Sequence, residues 1–202
     1  MQPFTIVSGI AAPILAANVD TDVIMPKQFL KGIDRSGLDR GLFFDLRFAE
    51  DGMPSPEFVL NRAPWSRARF LVVGPNFGCG SSREHAVWGL KQIGLRALIG
   101  SSFAGIFFDN CQRNGVLLIQ LDPAQVQRLG QLVGVAESAE ISIDLQAQLI
   151  GLADGSNIAF DIDPLRKQAL LLGLDAIGST LQRTEQIRVF EAAHLHANPW
   201  LA

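Results

Sequence analysis

Phe70-Leu71-Val72-Val73-Gly74-Pro75-Asn76-Phe77-Gly78-Cys79-Gly80-Ser81-Ser82-Arg83-Glu84-His85 is the stretch that decides how this chain is read. Its first four residues are apolar and strand-like. Glu84 to Ile93 follows with a helical pattern, and Gly94 is placed to end it. A loop between a strand and a helix offers free backbone N–H groups to whatever lies above it. Gly78 and Gly80 carry no Cβ, so the backbone can turn sharply and approach a ligand closely. Arg83 adds a rigid fork of donors suited to a carboxylate or phosphate. Together these make the layout of an anion site with a hydroxyl inside it. A plainer reading uses the same residues: Ser81 and Glu84 have the S-x-x-E spacing of a capping box, which only starts a helix. A cap needs neither Arg83 nor His85.

Further along, Ile99-Gly100-Ser101-Ser102-Phe103-Ala104 repeats the strand–Gly–Ser–Ser–helix arrangement. There the serines are followed by Phe103 instead of an arginine, so this second copy reads as structural. Around both copies the pattern is regular. Phe70–Val73, Ala97–Ile99 and Val116–Leu121 read as strands, and Phe103–Arg113 as a second helix. Strands alternating with helices imply right-handed crossovers and a parallel sheet covered on both faces. Ligands of such sheets sit beyond the carboxyl ends of the strands, where residues 74–83 fall. Asp122-Pro123 opens a third helix, with Asp as cap and Pro in the first turn. Asp154-Gly155, between Ile141–Leu152 and Ile158–Ile162, signals a hairpin. Phe4–Leu15 reads as extended and Asn18–Asp22 as turn and cap formers. Lys27–Gly41 reads as a mobile loop with a short helix, and Gly52–Pro64 as a surface crossing. Pro164–His194 reads as helical, broken near Gly173 and Gly178. The expected fold is α/β, with a β-rich N-terminal portion and a late hairpin.

The 202 residues fit one domain with at most a small appendage, and 48% hydrophobic content is enough for a core. No apolar run approaches the length of a membrane span. Residues 1–6 show neither a secretory nor a transit signal, so a cytoplasmic location is expected. A net charge of −3 argues against nucleic acid as a main partner. The two cysteines, Cys79 and Cys111, lack C-x-x-C spacing. Cys111 reads as a buried small hydrophobe, and Cys79 as a thiol in the polar loop with no evident base. His194 and His196 read as a solvated tail feature, and no metal motif is present.

Gly74 through Ala86 resembles the small subunit of bacterial 3-isopropylmalate dehydratase, which corresponds to the swivelling domain of aconitase. Asn18-Val19-Asp20-Thr21-Asp22-Val23-Ile24-Met25-Pro26-Lys27 is similar to that family's N-terminal motif. Ser102-Phe103-Ala104 through Asn110-Cys111 and Asn114-Gly115-Val116-Leu117 are similar to its helix and strand after the site. The resemblance extends over nearly the whole chain. Gly105 and Val87 depart from it, standing where an acidic residue and a proline are usual.

The resemblance implies a single swivelling β/β/α domain over 1–202, with a parallel sheet core, flanking helices, added β-strands and a helical C-terminal extension. It implies that Ser81 is the base removing a proton α to a carboxylate. It places Ser82, Arg83 and Asp22 at the substrate, with Thr21 beside them. It also implies a 4Fe–4S cluster whose unligated iron takes the departing hydroxyl. Such clusters need at least three protein thiolates, so with two cysteines here the cluster is expected on a large iron–sulfur subunit, in a heterodimer. The implied reaction is a reversible dehydration and rehydration of 2-isopropylmalate in leucine biosynthesis. Related substrates (homoaconitate, citraconate or a methylated malate) stay open, as do a non-catalytic carboxylate-binding module and a thiol enzyme built on Cys79. Phe29, Leu30 and Ile33 are candidates to contact an isopropyl arm, or simply to pack their loop.

Overall fold

The computed structural model describes residues 1–31 and 35–201. One seven-stranded sheet organises the chain: β1 (Ile6–Ile14), β2 (Ala68–Val73), β3 (Ala97–Gly100), β4 (Leu117–Gln120), β5 (Glu140–Asp144), β6 (Leu149–Gly151) and β7 (Asn157–Ala159), in the order β4-β3-β2-β1-β5-β6-β7. β1 to β4 run parallel, with Ala12 opposite Leu71, Leu71 opposite Leu98, and Leu98 opposite Leu118. β5, β6 and β7 extend the sheet antiparallel from the other side of β1.

Side chains alternate along a strand, and here both faces are apolar. Ala12, Leu71, Val73, Leu98 and Leu118 point into one core. Phe70, Val72, Ala97, Ile99, Leu117 and Ile119 point into the other. The first core also holds the buried residues of helices α3 (Glu84–Gln92) and α4 (Gly105–Asn114), together with much of the segment from Val19 to Trp65. That segment includes α1 (Thr21–Ile24) and α2 (Phe44–Arg47). The second core is closed by α5 (Pro123–Val133) and by Leu170 of α6 (Pro164–Leu172). α7 (Ala176–Leu181) and α8 (Thr184–Ala197) complete the chain.

Local chemistry explains where these elements start and stop. Asp122 caps α5: its carboxylate accepts from Ala124 N, and Gln125 Oε1 accepts from Asp122 N in return. Asp163 and Asp175 cap α6 and α7 through their carboxylates alone, accepting from Leu165 N and Arg166 N and from Gly178 N. The expected hairpin at Asp154-Gly155 joins β6 to β7.

Several expectations are corrected. Ile141–Leu152 is two antiparallel strands, because the chain reverses through 145–148 with Gln148 in the left-handed region. Gly178 does not break a helix. It lies inside α7, its N–H bonded to Asp175 Oδ1, and only Gly173 ends one. The N-terminal portion is not β-rich: after β1 the chain runs through short helical turns as far as β2. Residues 52–64 are more than a crossing, since Val59 and Leu60 are buried in the first core.

Candidate active site

Parallel strands bring their carboxyl ends to one edge of the sheet, so three loops distant in sequence meet there. Residues 15–22 follow β1, residues 74–83 follow β2, and residues 101–104 follow β3. The middle loop is held on both sides. Toward the β1 loop, Asn18 N donates to Pro75 O, Gly78 N to Val19 O, and Thr21 N to Cys79 O, at 2.7–2.9 Å. Toward the β3 loop, Asn76 N donates to Ser102 Oγ at 2.9 Å, and Phe77 pairs its backbone with Phe103. The second Gly–Ser–Ser copy is structural, as expected, but it supports the first loop. Its serines do not cap α4, whose N-cap is Ala104.

Gly78 and Gly80 are required where they stand. Both have positive φ, +77° and +90°. A Cβ on Gly78 would come within 2.2 Å of Phe107 Cγ, whose ring closes the floor beneath the loop against Phe77. The loop is thus pressed onto the core at Phe77 while its next residues are lifted toward solvent.

Ser81 and Ser82 are exposed. The capping-box reading does not hold: the N-cap of α3 is Arg83, and no side chain caps the helix. Glu84 is turned aside, accepting from the side-chain amide of the buried Asn114 at 2.6 Å. The Ser81 hydroxyl is therefore not consumed in starting the helix. Ser81 precedes α3 by three residues, and no side chain caps that helix's first N–H groups.

The residue that fixes Ser81 is Thr21. Its hydroxyl donates to Ser81 O at 2.9 Å and accepts from Ser81 N at 3.1 Å. Thr21 is 1% exposed, so it supports the loop from beneath and does not itself contact a substrate, as its grouping with Ser82, Arg83 and Asp22 would have had it. A hydroxyl can serve as donor and acceptor together, and here both capacities go to one neighbour's backbone. Thr21→Val keeps the shape and leaves two part-buried backbone groups unpaired. It is expected to cost about 1–3 kcal/mol of stability, read as a lowered denaturation midpoint, with a loss of activity beyond that explained by unfolding.

Asp20 caps α1 through Val23 N at 2.8 Å, which turns Asp22 outward. Asp22 Oδ1 stands 2.5 Å from Arg83 Nη1. The two are close but not aligned as a hydrogen bond, and Nη1 is buried without a hydrogen-bond partner. Asp22 and a substrate carboxylate bear the same charge, so Asp22 is suited to holding Arg83 and not to binding the substrate itself.

Cys79 lies in the same loop, partly exposed, with its backbone paired to Asp20. Cys111 is fully buried in the first core, and that burial pushes its thiol pKa well up, away from thiolate chemistry. Two thiols so placed do not fit an iron–sulfur cluster, which takes at least three. Among the described residues no three His, Cys, Asp or Glu side chains gather as a metal site. Phe29 and Leu30 are half-buried and pack on the first core, Phe29 with its ring 5.0 Å from that of Phe44; Ile33 lies outside the described residues. Of the positions singled out from sequence, Ser81, Ser82, Arg83, Asp22 and Thr21 are brought together. Ser102, Asn18 and Asn114 are the supports that sequence reasoning missed.

Comparison with known proteins finds relatives along the whole chain. Residues 1–124 match the family described as the aconitase C-terminal domain, and residues 127–164 match that described as LeuD_N. Residues 177–202 match the family described as the C-terminal domain of the 3-isopropylmalate dehydratase small subunit. The chain is 59% identical to 3-isopropylmalate dehydratase small subunit 1 of Mannheimia succiniciproducens, over 100% of this chain and 99% of that one. It is 56% identical to small subunit 2 of Salmonella typhimurium, over 100% and 96%. The crystal structure of 3-isopropylmalate dehydratase (LeuD) from Methanocaldococcus jannaschii superposes with a TM-score of 0.65 at 25% identity, covering 93% of this chain and 99% of that one. With its parallel sheet, its Gly–Ser–Ser–Arg loop and full-length identity to these subunits, the chain belongs to the family of 3-isopropylmalate dehydratase small subunits, on the fold of the aconitase C-terminal domain.

Proposed function

We propose that this chain is the small subunit of a hydro-lyase that interconverts 2- and 3-isopropylmalate in leucine biosynthesis. It would act in a cytoplasmic heterodimer with a large subunit. No helix among the described residues is long and apolar enough to cross a membrane, in keeping with that setting. The observation that carries the reading is an exposed Ser81 that caps no helix, two residues from Arg83, whose guanidinium is held in place by Asp22.

Arg83 and Ser82 would take a carboxylate of the diacid. Ser81 Oγ, as the alkoxide, would then remove the proton from the carbon α to that carboxylate. A serine hydroxyl is a weak base at its ordinary pKa. The alkoxide becomes accessible through nearby N–H dipoles and positive charge, supplied here by the start of α3 and by Arg83. The same donors face the enolate-like charge that grows on the carboxylate, which is where preorganised dipoles lower a barrier most. Loss of the hydroxyl leaves an unsaturated diacid. Returning the hydroxide to the adjacent carbon and the proton from Ser81 Oγ to the carbon that had held the hydroxyl restores the alkoxide and completes the isomerisation. The 4Fe–4S cluster implied by the aconitase resemblance is assigned to the large subunit, because the thiols of this chain do not fit it. When bound there, it would supply a Lewis acid for the departing hydroxyl.

The test is reconstitution. The chain is co-expressed with the large subunit, purified without oxygen, and assayed with isopropylmalate, homoaconitate, citraconate and methylated malate. Absorbance of the unsaturated diacid is expected with isopropylmalate, only when both subunits are present. Turnover by the isolated chain, or a clear preference for another diacid, contradicts the reading. In the same assay Cys79→Ala is expected to retain activity close to wild type, measured as kcat. A large loss there would return the thiol to the mechanism.

A further inference from the structure

Beside the reacting groups, a cavity of about 310 Å³ opens next to Asp22. Two of its walls belong to the site. Asp22 lines it and holds Arg83. Asp20 lines it too, and pairs its backbone with Cys79 of the site loop. A Cβ on Gly80 would lie only 3.4 Å from Asp20 Cβ, so the cavity and the loop are neighbours. The apolar part of the lining is Val23, Pro26 and Leu46. Leu46 is 43% exposed, yet its backbone is firmly placed. Phe43 N donates to Ile24 O at 2.8 Å, which fastens the start of α2 to the end of α1. Phe43 is held at φ +51°, a region that bulky residues rarely take, with its side chain fully buried. Phe44 packs its ring against those of Phe29 and Phe48, with centroids 5.0 and 5.2 Å apart. A strained turn anchored on both sides thus presents Leu46 to the cavity.

The charges around the cavity decide which part of a ligand it takes. Asp20, Asp22 and Asp45 bring three carboxylates to the lining, against one ammonium, that of Lys27. Asp20 is engaged with Val23 N and Asp22 with Arg83. A substrate carboxylate brought among them would still meet an excess of like charge. A diacid gripped by Arg83 is therefore turned with its charged groups away from this cavity and its uncharged carbon toward it. A three-carbon branch needs roughly the space of three water molecules, about 90 Å³, which the cavity holds with room to spare. Val23, Pro26 and Leu46 offer that branch the apolar contact it would otherwise lack. Phe29 and Leu30, candidates for the same contact, pack on the first core and are not part of the cavity lining.

We propose that this cavity receives the branched alkyl arm of the substrate, and that Leu46, beside Val23 and Pro26, is the residue that selects a branched diacid over an unbranched one. This rests on the functional reading above, and the test separates the two. Wild type, Leu46→Ala and Leu46→Met are each assembled with the large subunit. Two constants are measured: the KM for isopropylmalate, and the Ki of malate as a competitor. Malate keeps both carboxylates and the hydroxyl and lacks the branch. Leu46→Ala is expected to raise the KM for isopropylmalate about 10-fold or more while the Ki of malate stays within about twofold of wild type. Leu46→Met, which keeps the apolar volume, is expected to stay close to wild type in both. The unfolding midpoint and the Kd for the large subunit are expected to hold in both variants, since Leu46 is not part of the core. An unchanged KM in Leu46→Ala overturns the proposal. So does an equal rise in KM and Ki, or a loss explained by weaker assembly. In each of these cases wild type still turns over isopropylmalate and the functional reading stands. A wild-type complex that does not turn over isopropylmalate overturns the functional reading, and this proposal with it.

Discussion

Ser81→Ala, assembled with the large subunit, is expected to lose about 10²–10⁴-fold in kcat while folding and assembling normally. The fold is expected to tolerate it because the clamp on position 81 is made to its backbone. Thr21 Oγ1 bonds Ser81 N and Ser81 O, and alanine keeps both groups. The side chain is exposed and caps nothing, so its removal opens no cavity and strands no donor. Stability and subunit affinity are therefore expected to stay at wild-type values, measured by thermal unfolding and by titration with the large subunit. If Ser81 served only to shape the loop, kcat would follow stability and remain near wild type.

Arg83→Lys tests the other half of the site. Arginine offers a planar fork, whereas lysine offers a point charge with three donors. Arg83 is held through Nη1 by Asp22, which fixes the plane of its guanidinium. Lysine can preserve the ion pair but not a bidentate grip on a carboxylate. The loss of one charge-assisted hydrogen bond, about 1.5–3 kcal/mol, corresponds to a rise in KM of about 10–100-fold, with a smaller change in kcat. Initial-rate kinetics on the reconstituted complex decide the point. An unchanged KM would show that Arg83 holds the loop through Asp22 and does not bind the carboxylate.

The parts of this site legible in the sequence were those whose chemistry is local. Gly78, Gly80, Ser81, Ser82 and Arg83 sit within six positions, and their residue types alone indicate a turn, a hydroxyl and an anion-binding fork. The β–α alternation from Phe70 to Leu121 was legible for the same reason, since each element carries its own periodicity and its own stop. The supports were not. Thr21 reaches Ser81 across 60 residues only because β1 and β2 are neighbours in the sheet. Ser102 reaches Asn76 only because β2 and β3 are. No local pattern records such a pairing. The capping-box spacing misled because a helix can start at Glu84 with no side-chain cap when Glu84 is drawn to Asn114 on a neighbouring helix. Gly178 misled because a capped first turn tolerates glycine: Asp175 holds its N–H and the helix continues.

The central claim is that the hydroxyl at position 81 receives the proton taken from carbon. The most direct measurement is a single turnover. The Ser81→Ala complex is mixed in excess over isopropylmalate, substrate binding is measured separately, and the appearance of the unsaturated diacid is followed by its absorbance in a stopped-flow instrument. The account predicts that substrate binds within a few-fold of wild-type affinity and that no unsaturated diacid forms on the wild-type timescale. Formation of the unsaturated diacid at the wild-type rate would contradict it.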